Sequence, residues 1–300
     1  MTETVVVYIA GYGRSGSTLL DLLLGRNDGW LSMGEFRLFL YAARDHWICG
    51  CGSEVLSCPI WSSVVPVATG GDVAGAVADL KASARLRRVP GLMRPYLLGA
   101  HRNTVDRFVA RIGDTYRAAA AASGARVLVD SSKDPIYGLL LRRTPGVRLH
   151  VIHLVRDSRA VAWSWLRKKP RPEIASSDEY MPTRSILQTS LEWDLRNGLA
   201  HVLGREAASY TRLTYESMVE NPASVAQEIW RLVETSRDSI TSTRFDDDFV
   251  NHTVGGNPMR FTTKALEVKP DLEWRASLGS SDRRMVTALT WPLLRHYHYQ

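Results

Sequence analysis

Cysteine is scarce in this sequence of 300 residues, and the three present, Cys49, Cys51 and Cys58, fall in one short stretch. An odd number makes a poor disulfide framework. A chain of this length buries roughly 75% of its unfolded surface, so it needs neither cross-links nor a metal to be stable. His46 lies just ahead of the cysteines, but the spacing H-x2-C-x-C-x6-C fits no common zinc finger. The expectation is a reduced structural cluster with no metal. Long apolar runs are also missing. Val5 to Ala10 (VVVYIA), behind Glu3, is too short for a signal h-region or for the ~18 apolar residues of a span. The expectation is a cytoplasmic protein with no integral membrane segment. Repeats, low-complexity tails and linkers are lacking too, so residues 1–300 read as one domain. The charge balance is not even: 38 Lys and Arg stand against 31 Asp and Glu, a net +7. That favours an anionic partner. The basic residues are dispersed, with no aromatic-interleaved cluster, which argues against a nucleic-acid module.

Val5 to Ala10 reads as a buried parallel strand, a β-branched run ended by glycine. Ser17 to Gly25 (STLLDLLLG) reads as the helix that follows it. Further strands are expected at Arg126 to Val129, Arg148 to Val155 and Ala208 to Leu213. Helical patterns occupy Val73 to Leu86, Val105 to Ser123, Ser158 to Arg167, Leu187 to Leu203 and Ala223 to Glu234. Between the first two of these, Pro90, Gly91, Pro95 and Gly99 interrupt any long helix. Lys168 to Arg184, with Pro170, Pro172 and Pro182, is expected to be a loop. Strands alternating with helices predict an α/β fold: a P-loop-like, three-layer α/β/α domain with a central parallel sheet and extra helices.

Between the first strand and helix lies Gly11-Tyr12-Gly13-Arg14-Ser15-Gly16-Ser17-Thr18. It nearly fits G-x-x-x-x-G-K-[ST], but Ser17 stands where the lysine belongs. That lysine reaches the outer phosphates of a nucleoside triphosphate, and the next hydroxyl holds magnesium. Without it, the turn's N–H groups and the helix N-terminus still make an anion cradle. Arg14 adds a full charge, and Ser15, Ser17 and Thr18 add hydroxyls. A degenerate kinase or NTPase, with Asp157 as its Walker B aspartate, remains the alternative reading.

The third strand ends in a second basic segment, Arg156-Asp157-Ser158-Arg159-Ala160-Val161-Ala162-Trp163-Ser164. A guanidinium at a strand's carboxyl end can grip phosphate bidentately, and ligands of parallel sheets bind at such ends. Ser164, about two helical turns later, can add a hydroxyl. The plainer role for Arg156 is an ion pair with Asp157 or another carboxylate.

R-S-G-S-T-L-L after a strand resembles the 5′-phosphosulfate loop of sulfotransferases that use 3′-phosphoadenosine 5′-phosphosulfate (PAPS), in the bacterial and carbohydrate-type branch. Arg156 to Ser164 is similar to that family's R-D-P-R-A-x-x-x-S stretch, with Ser158 in place of proline. The resemblance extends to Cys49-Gly50-Cys51-Gly52, Cys58-Pro59-Ile60-Trp61, Asp130-Ser131-Ser132-Lys133, Tyr215-Glu216, Asn221-Pro222 and Gly255 to Phe261. It implies that Gly13, Arg14, Ser15, Gly16, Ser17 and Thr18 hold the phosphosulfate. It implies that Arg156, Ser164 and Arg260 hold the 3′-phosphate. The donor would be PAPS, with no metal required. The acceptor would be a hydroxyl of a small molecule, glycan or natural product, in a pocket shaped by residues 60–125 and 168–185. Sulfuryl transfer needs cations on the moving group and a base for the acceptor proton. Arg14 and Lys133 are the expected cations, and Glu35, in Gly34-Glu35-Phe36, the expected base. Asp45 and His46 are reserves, and His153, inside a strand, is expected to be a core residue.

Overall fold

The computed structural model describes residues 3–89, 102–171, 174, 180–233, 249–261 and 268–299. Five strands form one parallel sheet: β1 (Thr4–Gly11), β2 (Trp30–Ser32), β3 (Val127–Lys133), β4 (Val147–Val155) and β5 (Ser209–Thr214), in the order β2-β3-β1-β4-β5. The expected parallel α/β sheet is present. The four expected strands are joined by β2, a three-residue edge strand.

Alternation along β1 divides the core. Val6, Tyr8 and Ala10 pack on one face, and Val7 and Ile9 on the other. The first face is covered by α2 (Phe39–Arg44), α3 (Trp61–Thr69), α4 (Val73–Ser83), α5 (Arg102–Ser123), α6 (Pro135–Arg142) and, after α7 (Ser158–Leu166), by α8 (Ile186–Gly204). The other is covered by α1 (Ser17–Leu24), α9 (Tyr215–Glu220) and α10 (Pro222–Val233). This is the three-layer arrangement. Ile9 is wholly buried, so truncating it to alanine would cost ~2–5 kcal/mol. The chain closes with α11 (Trp274–Ser277) and α12 (Ser280–His296). The interruption expected at Pro90 to Gly99 and the Pro172 part of the 168–184 loop lie outside the described residues. His153 is a core residue, as expected, hydrogen-bonded to Asn197 and Tyr210.

Strand register positions the site. Gly11 at the end of β1 lies opposite Leu154 of β4, so the glycine loop emerges beside Arg156. Val155 lies opposite Thr214, so Arg156 and Tyr215 leave the sheet side by side. An irregularity between Tyr8 and Ala10 pairs Ala10 with Lys133, bringing the end of β3 to the same place.

Candidate active site

The carboxyl ends of β1, β3 and β4 open into a cavity of about 620 Å³. Among the described residues it is lined by nine Arg and Lys side chains against four carboxylates, so it suits an anion. This is where a doubly wound sheet offers its crevice, at the point where the chain passes from one side of β1 to the other.

The glycines of the loop are required by close packing. A Cβ on Gly11 would lie 2.4 Å from the Leu154 carbonyl oxygen, and one on Gly16 (φ 87°) 2.6 Å from the Tyr215 ring. Arg14 adopts φ 68° and Lys133 φ 64°, a left-handed backbone that L side chains avoid. Such conformations cost about 1–3 kcal/mol each and persist where surrounding structure enforces them, often at functional sites. The loop thereby turns Arg14 under Trp165, with its guanidinium 4.8 Å from the ring centroid and Nη1 donating to Met181 Sδ. Its Nη2 and the Ser15 hydroxyl are buried with no hydrogen-bond partner among the described residues. Burial lowers the Arg14 pKa, partly offset by Glu35. Buried donors without partners are costly unless something accepts from them. Gly13, Gly16, Ser17 and Thr18 line the cavity, and Ser15 sits behind them.

Arg156 is almost fully buried. Its Nη1 donates to the Arg14 carbonyl oxygen at 3.1 Å, and its Nη2 to the Asp271 carbonyl at 3.2 Å. Nη2 also pairs with the Asp271 carboxylate at 3.1 Å, and the guanidinium lies over the Tyr215 ring at 4.2 Å. Nε has no hydrogen-bond partner among the described residues. The carboxylate at Arg156 is therefore Asp271, not Asp157. Burial pushes the Asp271 carboxyl up, but Arg156 and Arg167 outweigh it and hold it below the ordinary range. Asp157 instead binds Arg159 and caps α7 by accepting from the Arg159 N–H. Its carboxylate is committed to that cap, away from a Walker B role. Ser164, on α7, is buried and lines the cavity.

Lys133 and Glu35 face each other across the cavity floor, with Nζ 2.7 Å from Oε1. The Glu35 N–H donates to Val254, and the Lys133 ammonium also donates to the Ser131 carbonyl. Behind them, Asp130 accepts from Ser132 and Tyr116. Burial lifts the Asp130 carboxyl to about 6. The reserve bases lie elsewhere: Asp45 pairs with Arg44 and His46 with Glu54, both well exposed, and neither lines the cavity.

Arg260 corrects the sequence reading. It is 1% exposed, and its guanidinium donates to the carbonyls of Thr253 and Ile48 and covers the Phe261 ring. It braces two loops and does not line the cavity. Gly255, Gly256 and Asn257 from the same segment do, and the Asn257 N–H donates to Thr18 Oγ1. Of the expected acceptor region, residues 168–185 contribute Lys169, Arg171, Met181, Pro182 and Arg184. Among the described residues none from 60–125 lines the cavity; Arg37, Leu38, Tyr41 and Trp47 stand there instead. Lys169 and Asp271 were missed by the sequence reading. Burial, with Arg14 and Arg167 nearby, lowers the Lys169 pKa to about 8.

No family model and no curated protein matches the sequence. Among solved structures, the sulfotransferase domain of the Synechococcus PCC 7002 olefin synthase superposes with a TM-score of 0.51 and 19% identity, over 97% of this chain and 95% of that one. The sulfotransferase domain of the curacin biosynthetic pathway gives 0.51 and 15%, over 97% and 98%. The fold is that of sulfotransferase domains. Identities this low carry the architecture and leave the chemistry to the residues above.

Proposed function

We propose that this protein is a PAPS-dependent sulfotransferase that acts on a hydroxyl of a natural product or carbohydrate. The observation that carries this reading is the convergence of Arg14 and Arg156 on one cavity, joined through the Arg14 carbonyl, with Lys133 and Glu35 opposite. Two separate cations, each with a buried N–H that lacks a partner among the described residues, fit a nucleotide with phosphate at both its 5′ and 3′ positions. The missing Walker lysine and the committed Asp157 speak against triphosphate hydrolysis.

In this reading the loop N–H groups and Arg14 hold the 5′-phosphosulfate, and Arg156 with Ser164 holds the 3′-phosphate. Glu35 takes the proton of the acceptor hydroxyl as its oxygen bonds to sulfur. Lys133 neutralises charge on the sulfuryl oxygens while the bond from sulfur to the 5′-phosphate oxygen breaks. Arg14 stabilises the charge left on that phosphate. The sulfuryl group carries one negative charge, so these side chains can serve where phosphoryl transfer employs magnesium. The acceptor would enter between Tyr41, Trp47, Lys169, Arg171 and Arg184, whose aromatic and basic side chains suit an acidic or polyhydroxylated molecule. The test is transfer of label from ³⁵S-PAPS to a panel of sugars and hydroxylated polyketides. Labelled product from the wild type, absent with Arg14→Ala, supports the reading. Failure of all acceptors together with phosphate release from Mg-ATP would replace it with the kinase or NTPase alternative.

A further inference from the structure

The expected reduced cysteine cluster has a fourth member that no local spacing reveals. His252, about 200 residues further along the chain, joins Cys49, Cys51 and Cys58, so that one ligand atom of each lies within 4.8 Å of all the others. His46, the histidine next to them in sequence, faces Glu54 instead. We infer that Cys49, Cys51, Cys58 and His252 form a zinc site.

The geometry suits a closed tetrahedral shell. Zn–S distances of about 2.3 Å put tetrahedral sulfurs about 3.8 Å apart, and sulfur and imidazole nitrogen about 3.6 Å apart. Cys51 Sγ and Cys58 Sγ are 3.8 Å apart, and Cys58 Sγ and His252 Nδ1 3.2 Å. Three thiolates and one imidazole form a soft donor set that favours zinc over magnesium or calcium. Four protein ligands leave no open position, so the site is structural and not catalytic. Cys49 and Cys58 are fully buried.

The backbone is prepared for this. Cys49 N–H donates to Ser53 and Gly52 N–H to Cys49, with Gly52 at φ 88°, which curls the first two cysteines into a tight knuckle. Gly50 N–H donates to Thr253, and Trp61 Nε1 donates to the His252 carbonyl at 2.7 Å. These bonds hold the knuckle and the His252 segment together from outside the shell.

The site has a job in the fold. The next residue but one, Val254, bonds to Met33 and Glu35 through its backbone, and Asn257 bonds to Thr18. A metal at His252 therefore fastens the segment that walls the cavity and holds the Glu35 backbone. Arg260 braces the same pair of loops through Thr253 and Ile48. The metal assignment stands whatever reaction the cavity performs.

The test is elemental analysis of the wild-type protein purified without added metal or chelator. The expected result is about one zinc per chain, released by an organomercurial in step with blocking of three thiols. Cys58→Ser and His252→Ala should each lower zinc to below about a tenth of an equivalent. If those variants fail to fold, cobalt substitution in the wild type decides: a tetrahedral thiolate spectrum, with sulfur-to-metal charge transfer, is expected. Metal-free wild type with three thiols freely reactive toward Ellman's reagent would overturn the assignment. A disulfide among the three cysteines, or zinc retained in full by Cys58→Ser, would also overturn it.

Discussion

Replacing Arg156 by alanine separates the two ends of the proposed donor. The guanidinium is 6% exposed, donates to Arg14 and Asp271 and covers Tyr215. Removing one partner of a charge-assisted phosphate contact typically loses ~1.5–3 kcal/mol. That is roughly a 10- to 150-fold rise in Kd. Folding should weaken by only ~1–3 kcal/mol, because Asp271 keeps Arg167 at 3.3 Å as a partner. Calorimetry with two ligands isolates the effect: 3′-phosphoadenosine 5′-phosphate, and adenosine 5′-phosphate, which lacks the 3′-phosphate. Arg156→Ala should weaken the first by that factor and the second little. Arg14→Ala should weaken both alike, since Arg14 serves the 5′ end that they share. Equal losses for both ligands with Arg156→Ala, or no loss for either, would refute the assignment of Arg156 to the 3′-phosphate.

Other consequences can be measured independently. Glu35→Gln should lower turnover at least tenfold, with donor affinity held within about twofold, as expected for loss of a general base; an unchanged rate removes Glu35 from that role. Lys169, its pKa lowered to about 8 by burial and by Arg14 and Arg167, loses its charge as pH rises through that value. Anion affinity should then fall between about pH 7 and 9, and Lys169→Met should flatten the step, whereas the same slope in both proteins would assign it elsewhere. Asp21 is buried against Ser32 and Ser131, and burial lifts it to about 7. The folded chain thus keeps a proton that the unfolded chain releases above about pH 4, and this contribution to stability disappears as pH rises through about 7. Urea midpoints should show Asp21→Asn gaining on the wild type at pH 8 relative to pH 5; a difference independent of pH contradicts the burial argument.

The parts of the fold visible in the sequence are those fixed by local pattern. β1, β3 and β4 were legible because buried parallel strands read as apolar runs ended by glycine or charge; β5, a half-exposed edge strand carrying Ser209, Thr211 and Arg212, has a much weaker pattern. β2 was not, because three residues carry no period, and its pairing with β3 is decided by tertiary contact. The long C-terminal helix α12 escaped because its sequence, SSDRRMVTALTWPLLRH, is charged at its start and carries Pro292 inside it. In the site, the glycine loop and Arg156 announce themselves by position at strand ends. Lys169 had only a basic neighbourhood, Arg167-Lys168, to mark it, and Asp271 had none. Arg260 misled because a basic residue in a glycine-rich loop looks like a ligand until its carbonyl partners are known. His252 was beyond reach because its neighbours in sequence carry no cysteine, and only folding brings it to Cys58.

The claim that one cavity binds a nucleotide by both phosphates is tested most directly by titrating the wild type with 3′-phosphoadenosine 5′-phosphate, against ATP with magnesium, in a calorimeter. One-to-one binding of the bisphosphate is expected in the micromolar range, about −8 kcal/mol, indifferent to magnesium and tighter than ATP. No heat from the bisphosphate, or tight binding of ATP only with magnesium, would contradict it.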